Sequence, residues 1–311
     1  GVVISSVVVT LYTYIGGMWA ISVTDFIQSI IIIVGLLVLA IVLSEKAGGV
    51  AGVLNGVPSE NYRFFPAKLE WKPVVSYLAA WSVLGLGSIP SQDIFQRTMS
   101  SGSVKTAIWS CYIAAFLYLS IAMLPLFISL CVKHLYPDQI GGDTQLVLPN
   151  MVLHHTALPI QILFFGSLLS AIMSTTSSAI LAPASIFSEN LIKPLTKRAY
   201  TDRQLLMLTR ISVLLFATVA TIMACLRSDI YELVGESSVL SLVSLFAPMV
   251  MGMYWKRSST RGALLSMFLG IFAWIPFRFY ETEWPALVPA TLISFVALIA
   301  GSFWWPDKEK V

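Results

Sequence analysis

Asp25 is a carboxylate placed seven positions into a long apolar run. An ionisable side chain inside a segment of bilayer-spanning length is costly, which makes it a functional candidate by default. Thr24 precedes it, and Gln28 follows within one helical turn on the same face as Asp25. A carboxylate there could bind a cation, carry a proton or satisfy a neighbouring unwound backbone. A structural carboxylate near the membrane interface is an equal alternative on spacing alone.

A second concentration of oxygen chemistry lies in the span 157–187, which carries Ser167, Ser170, Ser174, Thr175, Thr176, Ser177 and Ser178. Ala171, Ser174 and Thr175 stand at i, i+3 and i+4, on one face of a helix. Hydroxyls are hard oxygen ligands that suit alkali cations and do not suit soft metals, and a freed main-chain carbonyl would add a third. Close helix–helix packing by small hydroxyl residues accounts for the same cluster, and the cluster alone slightly favours it.

Between Trp81 and Arg97 the span is interrupted by Gly85, Gly87 and Pro90, followed by Ser91 and Gln92. A proline kink is the plain account, but two adjacent glycines favour a true break in the hydrogen-bond ladder. Such breaks are tolerated in a bilayer where protein or water satisfies the freed backbone, and there they present backbone dipoles to ions and solutes. Glu232 and Glu236, at i and i+4, read as interfacial charges in preference to an outer vestibule. Pro248 marks a kink further along the same segment.

These residues need apolar elements to hold them, and the composition supplies little else. Apolar residues make up 57% of the 311, charged residues only 11%, and the mean hydropathy is +0.82. Soluble domains carry about 25% charge, so most of this surface must face lipid. The same numbers exclude disorder. The small net charge of +3 forms no basic stripe and gives nucleic-acid binding no support. A membrane-crossing helix needs about 20 apolar residues. Nine candidate spans follow, at 1–15, 18–43, 74–95, 106–132, 157–187, 208–226, 231–254, 262–278 and 284–305. Ten-residue alternation is absent, so the expected class is an all-α polytopic membrane protein and not an outer-membrane barrel.

Positive charge sets the orientation. The odd-numbered connections and the tail hold Arg97, Lys105, Lys193, Lys197, Arg198, Arg203, Lys256, Arg257, Arg261, Lys308 and Lys310. The even-numbered ones hold Lys46, Arg63, Lys68, Lys72, Lys133, Arg227 and Arg278, four of them in the single loop 45–73. The odd side is therefore expected to be cytoplasmic, with the first span running inward. The loops 45–73 (Tyr62, Phe64, Phe65, Trp71) and 135–157 (Asp138, Asp143, Pro149, His154, His155) read as solvated loops with aromatic anchors. The first could also form an interfacial flap. Cys111, Cys131 and Cys225 lie in apolar runs and read as small core residues. With them and three histidines a zinc site has little to build from. The chain begins with Gly1 inside an apolar run, which reads as a fragment lacking an N-terminal part.

The stretch Tyr14 through Gln28, with Gly16, Gly17, Ala20, Thr24 and Asp25 in their places, closely resembles a G-G…T-D-x-x-Q stretch of sodium:solute symporters. Gln96-Arg97 resembles that family's Q-R at the cytoplasmic end of its sixth core helix. Ser170 to Thr175 resembles its sodium-binding eighth core helix, and Phe246, Pro248, Trp255, Arg257, Gly262 and Ala263 are similar to its F-x-P…W-x-R…G-A stretch. The four matches are in order and span the chain.

The resemblance implies part of a leucine-transporter-like inverted-repeat bundle. The chain would be a single transmembrane transporter domain, 1–311, holding core helices four to ten plus two C-terminal helices. It further implies sodium-coupled symport of a small organic solute by alternating access in the cell membrane. Sodium would be co-transported, the surroundings would be the lipid bilayer, and no obligate protein partner is evident. Carried over residue by residue, sodium would meet the carbonyl of Ala171 and the hydroxyls of Ser174 and Thr175, with Asp25 near a second cation site. Trp81, Ser91 and Gln92 would line the solute path. The choline-transporter-like branch is the nearest in flavour, on Gly87, Ile89, Pro90, Phe95, Gln96, Arg97, Ser100 and Ser101. Two departures count against choline and against a second sodium beside the hydroxyls. The tryptophan after that branch's proline is Ser91 here, removing a cation–π contact worth about 1–2 kcal/mol or more. The aspartate after its sodium hydroxyls is Ser177. A symporter-like sensor coupled to signalling is the alternative function. A channel suits the pattern less well, and no Ser/His/Asp set or phosphate loop supports an enzyme.

Overall fold

The computed structural model describes residues 2–67, 69–137, 143–197, 199–226, 229–279 and 284–307. Lys68, Asp138, Arg198, Arg227, Lys308 and Lys310 of the charge and loop analysis lie outside the described residues. Every regular element among the described residues is helical. Eight helical segments there are long and apolar enough to cross a bilayer. The first of them, α1 (Val2–Lys46), contains both of the first two expected spans, so nine expected crossings correspond to eight segments.

Inside α1 the chain folds back at Gly17, whose φ of 55° and ψ of −155° are open only to glycine. Two contacts show the fold. Tyr12 donates to the Met173 carbonyl while Asp25 accepts from Ser174, one residue further on. In a straight helix residues 12 and 25 would stand about 20 Å apart and could not both reach that point. Arg210 closes the turn. Its Nε and Nη2 donate to the carbonyls of Tyr14 (3.1 Å) and Ile15 (3.5 Å), and its guanidinium lies over the Tyr14 ring at 5.2 Å. These carbonyls lie in the last turn of the first arm, at the negative end of its dipole.

The chain divides into two compact units. The first comprises Gly1–Tyr62 and Gln96–Leu226. After α1 it holds α2 (Gly49–Gly56) and a 3₁₀ turn at Ser59–Tyr62. From α4 (Gln92–Met99) it takes the residues beyond Phe95, followed by α5 (Val104–Ile121), α6 (Met123–Leu135) and α7 (Val147–His155). Then come α8 (Leu158–Ile186), α9 (Lys193–Thr196) and α10 (Asp202–Leu226). Two apolar clusters hold α1 to α8. One gathers Leu39, Leu43, Val53, Ile128, Met151 and Phe164; the other gathers Val9, Ile21, Ile180, Ala184 and Val213. Between them the backbones come close, because a Cβ added at Gly35 would fall 1.9 Å from Ser167 Oγ.

The second unit comprises Arg63–Phe95 and Arg227–Val311. It holds α3 (Trp71–Gly87) and the start of α4, then α11 (Ile230–Ser241), α12 (Ala247–Tyr254), α13 (Thr260–Phe279) and α14 (Leu287–Trp304). α13 and α14 run along each other, joined by the buried Ser266–Ser294 hydroxyl pair at 2.9 Å. Asp307 caps the start of α13 through the Thr260 amide at 2.9 Å.

Four sequence expectations change or gain detail. The loop 45–73 is partly helical, and Val53 of α2 is fully buried. Of the cysteines only Cys131 is a core residue; Cys111 and Cys225 are exposed on helix surfaces. Glu236 pairs with Arg278, which also stands over the Trp274 ring at 5.3 Å. Pro248 does more than kink its helix. A π turn, Leu242–Phe246, ends two residues before it, and a second, Phe187–Ile192, ends two residues before Pro194. Proline removes an i→i−4 donor, and a wider turn re-pairs the carbonyl left behind.

Gly17→Ala tests the fold of α1. No atom lies within 4 Å of an added Cβ, so the cost is backbone strain alone, about 1–3 kcal/mol. The melting temperature of the purified protein is expected to fall, and an unchanged value would contradict the turn.

Candidate functional site

The polar centre of the first unit lies between the two apolar clusters, where the second arm of α1 meets α8. Ser167 Oγ donates to the carbonyls of Ile31 (2.9 Å) and Leu163 (2.8 Å), which sets the register of the pair. Further along, Ser174 Oγ donates to Asp25 Oδ1 at 2.6 Å. The other carboxylate oxygen of Asp25 pairs with Arg97 of α4, and Arg97 also donates to Ser178 Oγ. Gln96 beside it donates to Ser185 Oγ at 3.3 Å.

Most hydroxyls of α8 bond back to their own helix: Ser167, Thr176, Ser177, Ser178 and Ser185 each donate to a carbonyl three or four residues earlier. That is the ordinary behaviour of serine and threonine in an apolar helix. Ser174 departs from it and sends its proton across to Asp25. Its own carbonyl accepts from Ser177 at 2.9 Å and Ser178 at 3.1 Å, and Tyr12 donates to the preceding carbonyl, of Met173, at 2.8 Å.

The residues expected to hold sodium divide as follows. Asp25 has a side chain only 15% exposed and is joined directly to Ser174. Ala171 and Ser174 are half-buried. Thr175 is exposed, and its hydroxyl makes no hydrogen bond among the described residues. A serine that gives its only proton to a carboxylate keeps its lone pairs for another partner. Ser174 Oγ is therefore available as an acceptor.

The expected solute residues belong to the second unit. Trp81 stands in a four-ring cluster with Phe64 (5.5 Å), Tyr77 (6.1 Å) and, through them, Phe65. α3 ends at Gly87 and α4 begins at Gln92, so the interruption is a true break. Its turn is held by Ile89 N–H to Leu86 O and Ser91 N–H to Ser88 O, both 3.2 Å. Ser91 donates its hydroxyl to Asp93, and Gln92 is exposed.

Sequence reasoning did not foresee two arginines. Arg97 stands in the sequence as a cytoplasmic charge and as part of a Q-R pair, and its spacing carries no sign of the partnership with Asp25. Arg210 stands two positions into the span 208–226. By the rule that singles out Asp25, an arginine inside that span is a signal.

Residues 1–270 match the sodium:solute symporter family. The human high affinity choline transporter 1 is 30% identical over 87% of this chain and 48% of its own length. The osmoregulated proline transporter OpuE of Bacillus subtilis is 29% identical over 97% of the chain and 62% of its own length. The chain thus spans about half the length of the choline transporters it matches. Among solved structures, an outward-open, substrate-bound Na+-coupled sialic acid symporter superposes with a TM-score of 0.80. That match covers all of this chain and 67% of the symporter at 19% identity, which shows the shared fold. The family and these relatives are transporters and not enzymes. With its membrane-spanning helices and a family match over most of its length, the chain is a multi-pass membrane protein and belongs to the sodium:solute symporter family.

Proposed function

We propose that the protein couples inward movement of sodium to uptake of a small organic solute, with residues 1–311 acting as one transporter domain in the cell membrane. The observation that carries this reading is the hydroxyl of Ser174 turned to Asp25. It leaves Ser174 Oγ as an acceptor one residue from the unpartnered hydroxyl of Thr175 and one helical turn from Ala171. In this reading sodium rests on the Ala171 carbonyl and those two hydroxyls. Asp25 supplies the nearby negative charge and orients Ser174, in the way that outer residues orient metal ligands. Hard oxygen ligands of this kind suit sodium. Asp25 is itself held by Arg97, so its carboxylate already has a tethered cation in this arrangement.

On the solute side, Trp81, Ser91 and Gln92 flank the break between α3 and α4, where freed backbone and side-chain dipoles can meet a polar solute. The named relatives take choline, proline and sialic acid, and Ser91 in place of an aromatic ring favours a solute that does not depend on a cation–π contact. A tenfold sodium gradient and a potential of about 100 mV together supply about 3.7 kcal/mol per ion, enough for roughly 500-fold accumulation of a neutral solute.

Four measurements test this reading. Replacing Ser174 and Thr175 together with alanine in the intact protein should remove most of the sodium dependence of solute uptake while leaving protein abundance largely intact. An equal loss of both would assign the hydroxyls to packing. Asp25→Asn and Arg97→Gln should be non-additive in thermal stability, with a coupling of about 0.5–3 kcal/mol in a double-mutant cycle; additive effects would contradict the ion pair. Ser91→Trp should shift solute preference towards quaternary amines in competition uptake, and an unchanged preference would remove Ser91 from the solute path. Vesicles that accumulate solute equally well on a potassium gradient would refute sodium coupling itself.

A further inference from the structure

Arg210 carries its charge inside the span 208–226, and among the described residues it pairs with no carboxylate. An arginine so near the end of a span can extend its stem and leave the guanidinium in water. This one turns inward to α1. Nε donates to the Tyr14 carbonyl at 3.1 Å, Nη2 donates to the Ile15 carbonyl at 3.5 Å, and the guanidinium carbon stands 5.2 Å from the centre of the Tyr14 ring. Among the described residues no other side chain bonds to a carbonyl between Tyr14 and Gly17. The segment held in this way is the weak point of α1. Gly16 and Gly17 adjoin there, and glycine has more backbone conformations open to it than any other residue. No atom lies within 4 Å of a Cβ added at Gly17, so packing does not brace it. Both arms that leave the turn reach α8: Tyr12 donates to the Met173 carbonyl at 2.8 Å, and Asp25 accepts from Ser174 at 2.6 Å. Met173 and Ser174 are consecutive, so the angle between the arms decides whether both contacts form together.

We propose that Arg210 is a positioning residue for sodium binding: from α10 it fixes the turn of α1, and through Tyr12 it holds α8 at the level where Ser174 faces Asp25. This inference rests on the sodium reading above and adds to it a residue that touches neither ion nor solute. A guanidinium suits the task. Its planar fork meets two carbonyls and stacks on a ring at once, whereas an ammonium is a point charge. Its charge also faces the negative end of the dipole of the first arm. The carbonyls it takes follow Tyr12 by two and three residues, within a single helical turn, so a shift of the fork carries the Tyr12 hydroxyl with it. Without Arg210 the two glycines leave the first arm free to swing, Tyr12 leaves the Met173 carbonyl, and Ser174 loses its fixed angle to Asp25. A binding constellation tolerates a displacement of only about 0.5 Å, which makes such a remote brace count.

The test is equilibrium binding of radioactive sodium alone to the purified intact protein, with potassium as the replacing ion, for wild type, Arg210→Gln, Tyr12→Phe and the double variant. Arg210→Gln should raise the half-saturating sodium concentration about tenfold, near the lower end of what a hydrogen bond to a charged group carries. Tyr12→Phe removes only the hydroxyl and should raise it too. Because Arg210 acts through Tyr12, the double variant should bind no more weakly than the weaker single one. A double variant weakened by the product of the two effects overturns the proposal, and so does an unchanged half-saturation in either single variant. The reading separates positioning from mere stability: partial unfolding lowers the number of binding sites and leaves half-saturation where it was, so that a loss of sites alone counts against the proposal. If Arg210→Gln is too unstable to purify, Arg210→Lys, which keeps the charge and loses the fork, decides by the same cycle. Wild-type protein that shows no saturable sodium binding overturns the sodium reading itself, an outcome separate from a wild type that binds and an Arg210→Gln variant that binds equally well.

Discussion

The seam between α1 and α8 is governed by the absence of water. In a bilayer every polar atom must find its partner within the protein or a bound ion. The chain meets this demand at one place by opposing a carboxylate with a hydroxyl and a guanidinium: Asp25, Ser174 and Arg97. The apolar clusters on either side fix the level at which the three meet. Leu39, Leu43 and Phe164 clamp the helices at one end, and Ile21, Ile180 and Ala184 at the other. Small residues let the helices approach between them, with Gly35 close against Ser167 and the Leu163 carbonyl. Packing thus sets the polar geometry, and the polar geometry has little freedom left.

Backbone irregularities serve the same end. Gly17 turns α1 back so that both of its arms touch α8 at successive residues, Tyr12 at Met173 and Asp25 at Ser174. Arg210 satisfies the carbonyls that this turn frees. The break between Gly87 and Gln92 and the π turns before Pro194 and Pro248 are further departures from the regular ladder. Each falls at a glycine or proline, where the cost of leaving a regular helix is lowest.

That is why so much of the architecture was legible in the sequence. Span lengths follow from apolar runs, and Gly16-Gly17, Gly85 through Pro90 and Pro248 announce where the helices bend. Asp25 and the hydroxyls of α8 stood out because they violate the composition around them. What periodicity does not contain is which distant residues meet. Nothing in local spacing joins Arg97 to a carboxylate 72 positions earlier, or Arg210 to a turn nearly 200 positions before it. The same limit misplaced Cys111 and Cys225, because a residue inside an apolar run faces either lipid or core, and hydropathy does not separate the two.

The direction of one proton carries the chemical consequence. A serine hydroxyl that bonds back to its own helix has a settled place in the ladder, which is how Ser177, Ser178 and Ser185 behave. Ser174 gives its proton to Asp25 instead, and its remaining directions can only accept. The main-chain carbonyl of Ala171, one turn earlier on α8, is an acceptor by constitution. In the sodium reading proposed above, this pair of oxygens turns its lone pairs towards the ion. The pair is complementary to a partner that brings positive charge with no need to accept a hydrogen bond, and a bare alkali cation meets that description more fully than a water molecule does.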